Sequence, residues 1–401
     1  EPFHIYIGRR AGQVSGAQGM DLTLTAEQKK IVEAAKKFAR SEFPKVAREC
    51  DREEKYPLEI YKKAGELGFM GIFIPRQYNG LGLGIFEHAM VMEEFWRVDP
   101  GIGGILLAVF GAEILIHQGT GEQKKKYLPL IATGKAITGC AITEPDAGSD
   151  ILNQKTQARK TSHGYVINGS KQFISNGTIA DFLLVMCLTN PEAPRPTERY
   201  SFLLVEKDRL GFQAHKLTGK MGIRASDTAE LFFDEVLVPE ENLIGGKEGQ
   251  GFRQVMHLFN INRVVAASQG VGVAQGAFDR AVATIKGRGQ SSQPLASVQG
   301  IQFKVAEMAA GIEASRRLYY TAAWMIDHNQ IDPKLISIAK LVAGETAVRI
   351  TAEVLEIYGR TGYLADYDVE RFYRDAKIVE IYEGAKEIEK ITIAREILGR
   401  D

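Results

Sequence analysis

The chain has 401 residues with 50 basic and 50 acidic side chains, so it carries no net charge at neutral pH and no electrostatic footprint for nucleic acid or an anionic membrane. It is 45% hydrophobic and 25% charged, the balance of a globular protein with room for two or three domains. Three scattered cysteines, Cys50, Cys140 and Cys187, are too few for a disulfide framework or a metal site and read as small buried hydrophobes of a reducing compartment.

Residues 1–19 match nothing that follows and lack the apolar centre of a secretory signal. They read as an appended remnant or a loose arm before Met20-Asp21, with a mitochondrial presequence as the alternative on the strength of Arg9-Arg10. From Thr25 the pattern is helical. Thr25-Ala26-Glu27-Gln28 is a capping box that opens a helix to about Phe43. Pro57 marks a first helical turn, Gly68 a helix end and Asn79-Gly80 a turn. Helices are predicted over Ile85–Arg97, Ile102–Gln118 and Glu122–Ile131. The longest apolar run, Gly101 to Ala112, stops at Glu113, short of the roughly 20 residues of a bilayer span, and reads as a buried helix.

From about Ala136 the period shortens. Strands are predicted at Thr138–Thr143, Thr156–Thr161, Tyr165–Asn168, Phe182–Leu188, Tyr200–Glu206, Phe212–His215 and Ala229–Phe233, with turns at Asn168-Gly169 and Asn176-Gly177. After Gly249 helix returns. Val298, Ile301, Val305, Met308, Ile312, Ser315, Tyr319, Ala322 and Ile326 form a heptad seam, followed by helices at Pro333–Tyr358 and Ala385–Leu398. The fold class is therefore α+β and multidomain: an N-terminal α-helical domain (20–135), a middle antiparallel β-barrel or sandwich (136–248) and a C-terminal four-helix bundle (249–401).

Two segments carry chemistry. Ala141-Ile142-Thr143-Glu144-Pro145-Asp146-Ala147-Gly148-Ser149-Asp150 leaves a strand into a hydroxyl-bearing glycine loop suited to an anion or a polar ring edge. Ile381-Tyr382-Glu383-Gly384 sets a carboxylate in an apolar, aromatic setting beside a glycine. Desolvation raises such a carboxylate's basicity, and the glycine lets a substrate approach.

The first segment resembles the signature of the acyl-CoA dehydrogenase family of flavoproteins. Gly169-Ser170-Lys171-Gln172-Phe173-Ile174-Ser175-Asn176-Gly177 resembles that family's second signature. Arg224-Ala225-Ser226-Asp227-Thr228, Asp234-Glu235-Val236-Leu237-Val238-Pro239, Gly251-Phe252 to Arg263, Arg374-Asp375-Ala376-Lys377 and Ile381-Tyr382-Glu383-Gly384 follow in family order, so the resemblance spans Met20 to Arg400. It implies FAD between the β domain and the C-terminal helices, with an acyl-CoA against one flavin face. By position, Cys140, Ala141, Ile142, Thr143 and Ser149 would line the flavin, with Ser149 also near the CoA arm. Phe173, Ile174 and Ser175 would meet the ring, the Ser175 hydroxyl at N5. Asn260 and Arg263 would contact the pantetheine arm, and Tyr382, Glu383 and Gly384 the thioester. Arg288, Gln299, Glu356, Gly359, Arg360, Ala385 and Glu387 complete the implied cofactor set. In the implied reaction Glu383 removes the α proton while the β hydrogen passes as hydride to N5. The products are a trans-2-enoyl-CoA and electrons for electron-transfer flavoprotein. Relatives that carry the base just before the matched arginine have their counterpart here in Asn262, which cannot act as a base.

The resemblance further implies a homotetramer, or a dimer, placed in the cytoplasm of a bacterium or the mitochondrial matrix of a eukaryote. The chain departs from the family at Arg288-Gly289-Gln290-Ser291-Ser292, Gly359-Arg360 and Ala385-Lys386-Glu387, all mapped to the adenine and pyrophosphate end of FAD, where the family uses a neighbouring subunit. Asp99-Pro100-Gly101-Ile102-Gly103-Gly104-Ile105-Leu106-Leu107 holds no cation, which disfavours a dicarboxyl substrate. A medium, branched or cyclic acyl group fits, with Gly103 and Gly104 serving either the acyl cavity or helix packing. An oxidase, a reductase running the reaction backwards and a non-catalytic flavoprotein are the other readings.

Overall fold

The computed structural model describes residues 20–287, 289–290 and 293–399. The leader 1–19 and the candidate Arg288 lie outside the described residues. Thr25 closes its capping box with Gln28, and α1 runs Ala26–Glu42. α2 (Ala47–Glu53) and α3 (Leu58–Glu66) follow, with Pro57 at the cap of α3 and Gly68 in the left-handed region beyond its end. α4 (Ile85–Val98) is buried on nearly every face, and the Asp327 carboxylate accepts from its first two N–H groups, Ile85 N at 2.8 Å and Phe86 N at 2.9 Å.

The helix expected over Ile102–Gln118 is broken into α5 (Pro100–Gly103), a 3-10 stretch (Gly104–Val109) and α6 (Ala112–Gln118). Gly111 at φ 98° explains the second break, because a left-handed residue cannot continue a right-handed helix. By length and composition the stretch Pro100–Gln118 is able to span a membrane, but 78% of that window is packed inside the protein. Gly103 is a packing residue: a Cβ there would lie 2.8 Å from Trp96 Cδ1. α7 (Gly121–Ala132) closes the segment.

The middle segment is one seven-stranded sheet of β1 (Thr138–Ala141), β2 (Gln157–Thr161), β3 (Gly164–Ser175), β4 (Phe182–Leu188), β5 (Tyr200–Glu206), β6 (Phe212–Lys216) and β7 (Thr228–Val238). Its order is β1-β4-β2-β3-β7-β6 with β5 on β4, antiparallel except where β4 meets β1 and β2 in parallel. Asn168-Gly169, expected as a turn, lies inside β3 at a register shift against β7. A Cβ at Gly169 would press on Thr156 Cα at 2.7 Å, so the glycine answers to close strand packing.

α8 (Gly251–Gly287) leads through a two-stranded ribbon, β8 (Gly289–Gln290) and β9 (Gln293–Pro294), to α9 (Gln299–Asp327), α10 (Pro333–Tyr358), α11 (Val369–Ala376) and α12 (Lys386–Leu398). The heptad seam is buried from Met308 through Ala322, with Val298 outside the helix as its cap. One apolar core runs continuously through both helical segments, while the sheet keeps a second core of its own.

Candidate functional site

A bulge in β3 builds the first wall of the site. Lys171 pairs with Leu231 and Ile174 with Ala229, so Gln172 and Phe173 together oppose Glu230 alone. The extra residue resets the strand's alternation: Lys171 and Ile174 point inward and Phe173, at φ 59°, is thrown outward with 63% of its surface exposed. Gln172 N donates to Thr143 O at 2.9 Å, which ties the bulge to the loop leaving β1.

Beneath it the Lys171 ammonium is wholly buried and spends its three donors on Ile142 O (2.9 Å), Glu144 Oε1 (2.9 Å) and Gln154 Oε1 (3.1 Å). Glu144 also accepts from Lys155 N and Thr156 N. Asn176 Nδ2 bridges Leu107 O and Thr138 O, both at 3.0 Å, and so joins the 3-10 stretch to β1. Cys140, Ala141, Ile142 and Ile174 are buried, Thr143 and Ser175 half-buried, and Ser149 exposed on the loop.

The second wall is the turn between α11 and α12. Glu383 sits at φ 53° and Gly384 at φ 104°. Oε2 of Glu383 is buried and has no hydrogen-bond partner among the described residues. Burial first, and then the nearby Glu389 carboxylate, push Glu383 up to about 7 against the pull of Lys340 and Arg263. Lys340 Nζ donates to Gly384 O, and burial brings that ammonium down to about 8. Arg263 Nε lies 3.0 Å from Glu389 Oε1, both side chains almost free of solvent. Tyr382 OH donates to Gln269 Oε1.

A Cβ on Gly384 would overlap Glu389 Oε1, whose position is held by Arg263, and would force a side chain into the left-handed region. Gly384→Ala is therefore expected to displace Glu383 and slow substrate-dependent flavin reduction by ~10²-fold, read by stopped-flow absorbance.

The structure separates the remaining candidates into two groups. Ala385 and Glu387 follow Gly384 into the start of α12, and Asn260 and the buried Asn262 precede Arg263 on α8. Gln299, Glu356, Gly359 and Arg360 are exposed at the other end of α9 and α10, where Lys304 and Glu356 pair at 2.8 Å. Glu356 lies sixteen residues along α10 from Lys340, about 24 Å at a 1.5 Å rise, so this group does not meet Glu383 within one chain. Lys386 Nζ lies 4.0 Å from Glu380 Oε1.

Four residues of the site escaped attention as chemistry: Lys171, Lys340, Glu389 and Glu113. Glu113 is buried, accepts from Gly111 N at 3.0 Å, and is pushed up to about 7 by burial, with Glu383 adding repulsion. Its one visible signal was an acid ending the longest apolar run. An outward aromatic on a strained bulge beside hydroxyls, tied to a β1 strand whose Cys140 lies within electrostatic reach of Glu383, fits a flat ring with a reacting substrate near that carboxylate.

Comparison with known proteins bears on the same site. Models of the acyl-CoA dehydrogenase N-terminal, middle and C-terminal domains match residues 25–135, 139–236 and 249–398. The chain is 41% identical to acryloyl-CoA reductase (NADH) of Anaerotignum propionicum, over 95% of this chain and 97% of that protein. It superposes with a TM-score of 0.92 and 37% identity on a chain from the structure of the electron transferring flavoprotein of Acidaminococcus fermentans, over 95% of this chain and 100% of that one. Butyryl-CoA dehydrogenase of Megasphaera elsdenii gives a TM-score of 0.91 at 34% identity, over 94% and 100%. With three domain models matched in order along almost its whole described length, the chain belongs to the acyl-CoA dehydrogenase family of FAD-dependent oxidoreductases.

Proposed function

We propose that the protein dehydrogenates an acyl-CoA thioester between Cα and Cβ, with Glu383 as base, FAD as cofactor and an electron-transfer flavoprotein as acceptor. The observation that carries this reading is the Glu383 carboxylate, whose buried Oε2 has no partner among the described residues and whose basicity burial has raised to near neutrality. A base in that state takes a proton from an activated C–H at physiological pH. FAD, when bound, supplies the acceptor for the β hydrogen and its electron pair. Phe173 would pack on the ring, Thr143 and Ser175 would offer it hydroxyls, and the buried backbone of Cys140, Ala141, Ile142 and Ile174 would exclude water. Asn260, Arg263 and Ser149 would hold the CoA arm, and Tyr382 and Gly384 would shape the thioester position.

Gln299, Glu356, Gly359 and Arg360 serve a second copy's FAD in this reading. Glu356 stands about 24 Å along α10 from Lys340, and the group leads into Tyr363 and Leu364, both strongly exposed. A homotetramer, or a dimer, would cover those side chains together with Ile391, Ile397 and Leu398 of α12.

The acyl group is medium-sized, branched or cyclic. Glu113 adds a buried acid to a segment that already lacks a cation, so a second carboxylate on the substrate meets repulsion. Anaerobic addition of an acyl-CoA panel tests this: monoacyl thioesters should bleach the flavin, with glutaryl-CoA at least ~30-fold slower, since an unpaired buried charge costs about 2 kcal/mol or more. Equal rates for both would remove the specificity argument.

The likeness to acryloyl-CoA reductase supports a second reading, in which the protein reduces an enoyl-CoA and protonated Glu383 returns a proton to Cα. A group near 7 is populated in both states at neutral pH, so the base suits either direction. Preference for enoyl-CoA by the pre-reduced holoenzyme would select this reading.

A further inference from the structure

α12 buries the wrong kind of residue for an amphipathic helix. Ile391, Ile397 and Leu398 are exposed, whereas Glu389 is its one fully buried side chain among the described residues. An acid is buried at that cost only against a counter-charge, and the counter-charge is Arg263, whose Nε lies 3.0 Å away on α8 as an ion pair without hydrogen-bond geometry. The same carboxylate lies over Gly384 so closely that no side chain fits there, while Lys340 from α10 holds the Gly384 carbonyl. Two cations and one acid from three helices thus converge on the turn that carries Glu383. Among the described residues Glu383 itself makes no ion pair, although Arg263 and Lys340 both stand near enough to attract it.

We infer that Glu389 is a positioning residue: it occupies the Arg263 guanidinium and packs on Gly384, and so keeps the Glu383 carboxylate out of an ion pair and free to act on substrate. The inference rests on the reading of Glu383 as base. Without Glu389, Arg263 has no other acid among the groups that face Glu383 except Glu383 itself and Glu113. The full set is Arg263 on α8, Lys340 on α10, Glu389 on α12, Glu113 on α6, Cys140 on β1 and the adjoining Tyr382 phenol. An arginine turned onto the base stabilises its carboxylate form and weakens it.

The test uses the FAD-loaded holoenzyme and the pH profile of anaerobic flavin bleaching by an acyl-CoA. Glu389→Gln is expected to move the acid-side midpoint down by about one pH unit, with a lower plateau rate. Arg263→Gln is expected to move it up, and the double variant to return it toward the parent. Glu389→Asp should restore the parent midpoint in part, and serves if the Gln variant does not fold. Glu383→Gln run in parallel separates the two ideas. Persistent bleaching in that variant overturns the base itself. An inactive Glu383→Gln beside Glu389 variants whose midpoint stays within 0.2 of the parent, or rises, overturns the role given to Glu389. A packing defect alone lowers rate and FAD content without moving the midpoints in opposite directions.

Discussion

Glu383→Gln is expected to keep the flavin bound and to slow its bleaching by acyl-CoA ~10²- to 10⁴-fold, the span of positioned general-base catalysis. The amide matches the carboxylate in shape but has no basic oxygen, so positioning survives and proton removal does not. Stopped-flow absorbance under anaerobic conditions separates the two, because substrate binding still perturbs the flavin spectrum while bleaching stalls. Rapid bleaching by the variant would reassign the base. The parent's pH dependence follows from the same group. With Glu383 near 7, the ionised fraction and hence the single-turnover rate fall about tenfold per unit well below pH 7 and level off above it. A base at an ordinary carboxylate value would leave the rate flat down to about pH 5.

The same substitution carries a stability sign. Glu383 has a folded value raised above its unfolded value of 4.5, so the folded state binds the extra proton between those limits. Its penalty is absent below pH 4.5, grows as the pH rises toward 7, and is complete above. Glutamine never ionises and escapes that cost. Glu383→Gln is therefore expected to be more stable than the parent at pH 8, on the order of 2 kcal/mol, and indistinguishable at pH 4.5. A stabilised, inactive variant is what a base held in an unfavourable setting for function predicts.

Much of the fold could be read from local signals. β4 and β5 have the predicted limits because short apolar runs with clear punctuation leave little freedom. α10 begins at Pro333 because proline suits a first turn and Asp332 caps Leu335 N at 3.1 Å. Failures came where a local signal had two physical outcomes. Asn168-Gly169 has hairpin chemistry, but Thr156, just before β2, packs against it, and the pair sits inside β3 at a register shift. An unbroken apolar run looked like one helix, and only the packing of Gly103 on Trp96 and the handedness of Gly111 divide it. Glu383 was legible because the turn holds it next to a glycine in one short motif. Lys340 and Glu389 were not, because what makes them part of the site is the company of α8, α10 and α12 in space, at sequence separations that no local pattern encodes.

Lys171→Met is expected to destabilise the holoenzyme by about 3–5 kcal/mol, the usual consequence of stripping one partner from a buried ion pair. The ammonium satisfies the Ile142 carbonyl, Glu144 and Gln154 at once, with its side chain fully out of solvent. Methionine fills much of the volume and supplies no donor, so Glu144 keeps its bonds from Lys155 N and Thr156 N but loses its counter-charge. Ile142 and Glu144 belong to the loop leaving β1, and Phe173 lies two residues beyond Lys171 on the bulge, so the damage falls on both edges of the proposed flavin site. The melting temperature should drop by roughly 6–10 °C, and on dilution FAD should dissociate already at higher protein concentration than from the parent. Flavin fluorescence during a thermal ramp reports both. Lys171→Met combined with Glu144→Leu should recover part of the loss, since removing both charges leaves no unpaired ion behind. Unaltered melting and flavin retention in the single variant would mean that the two signature segments hold their geometry without this pair, and the strained φ of Phe173 would then have to be maintained by the β3–β7 register alone.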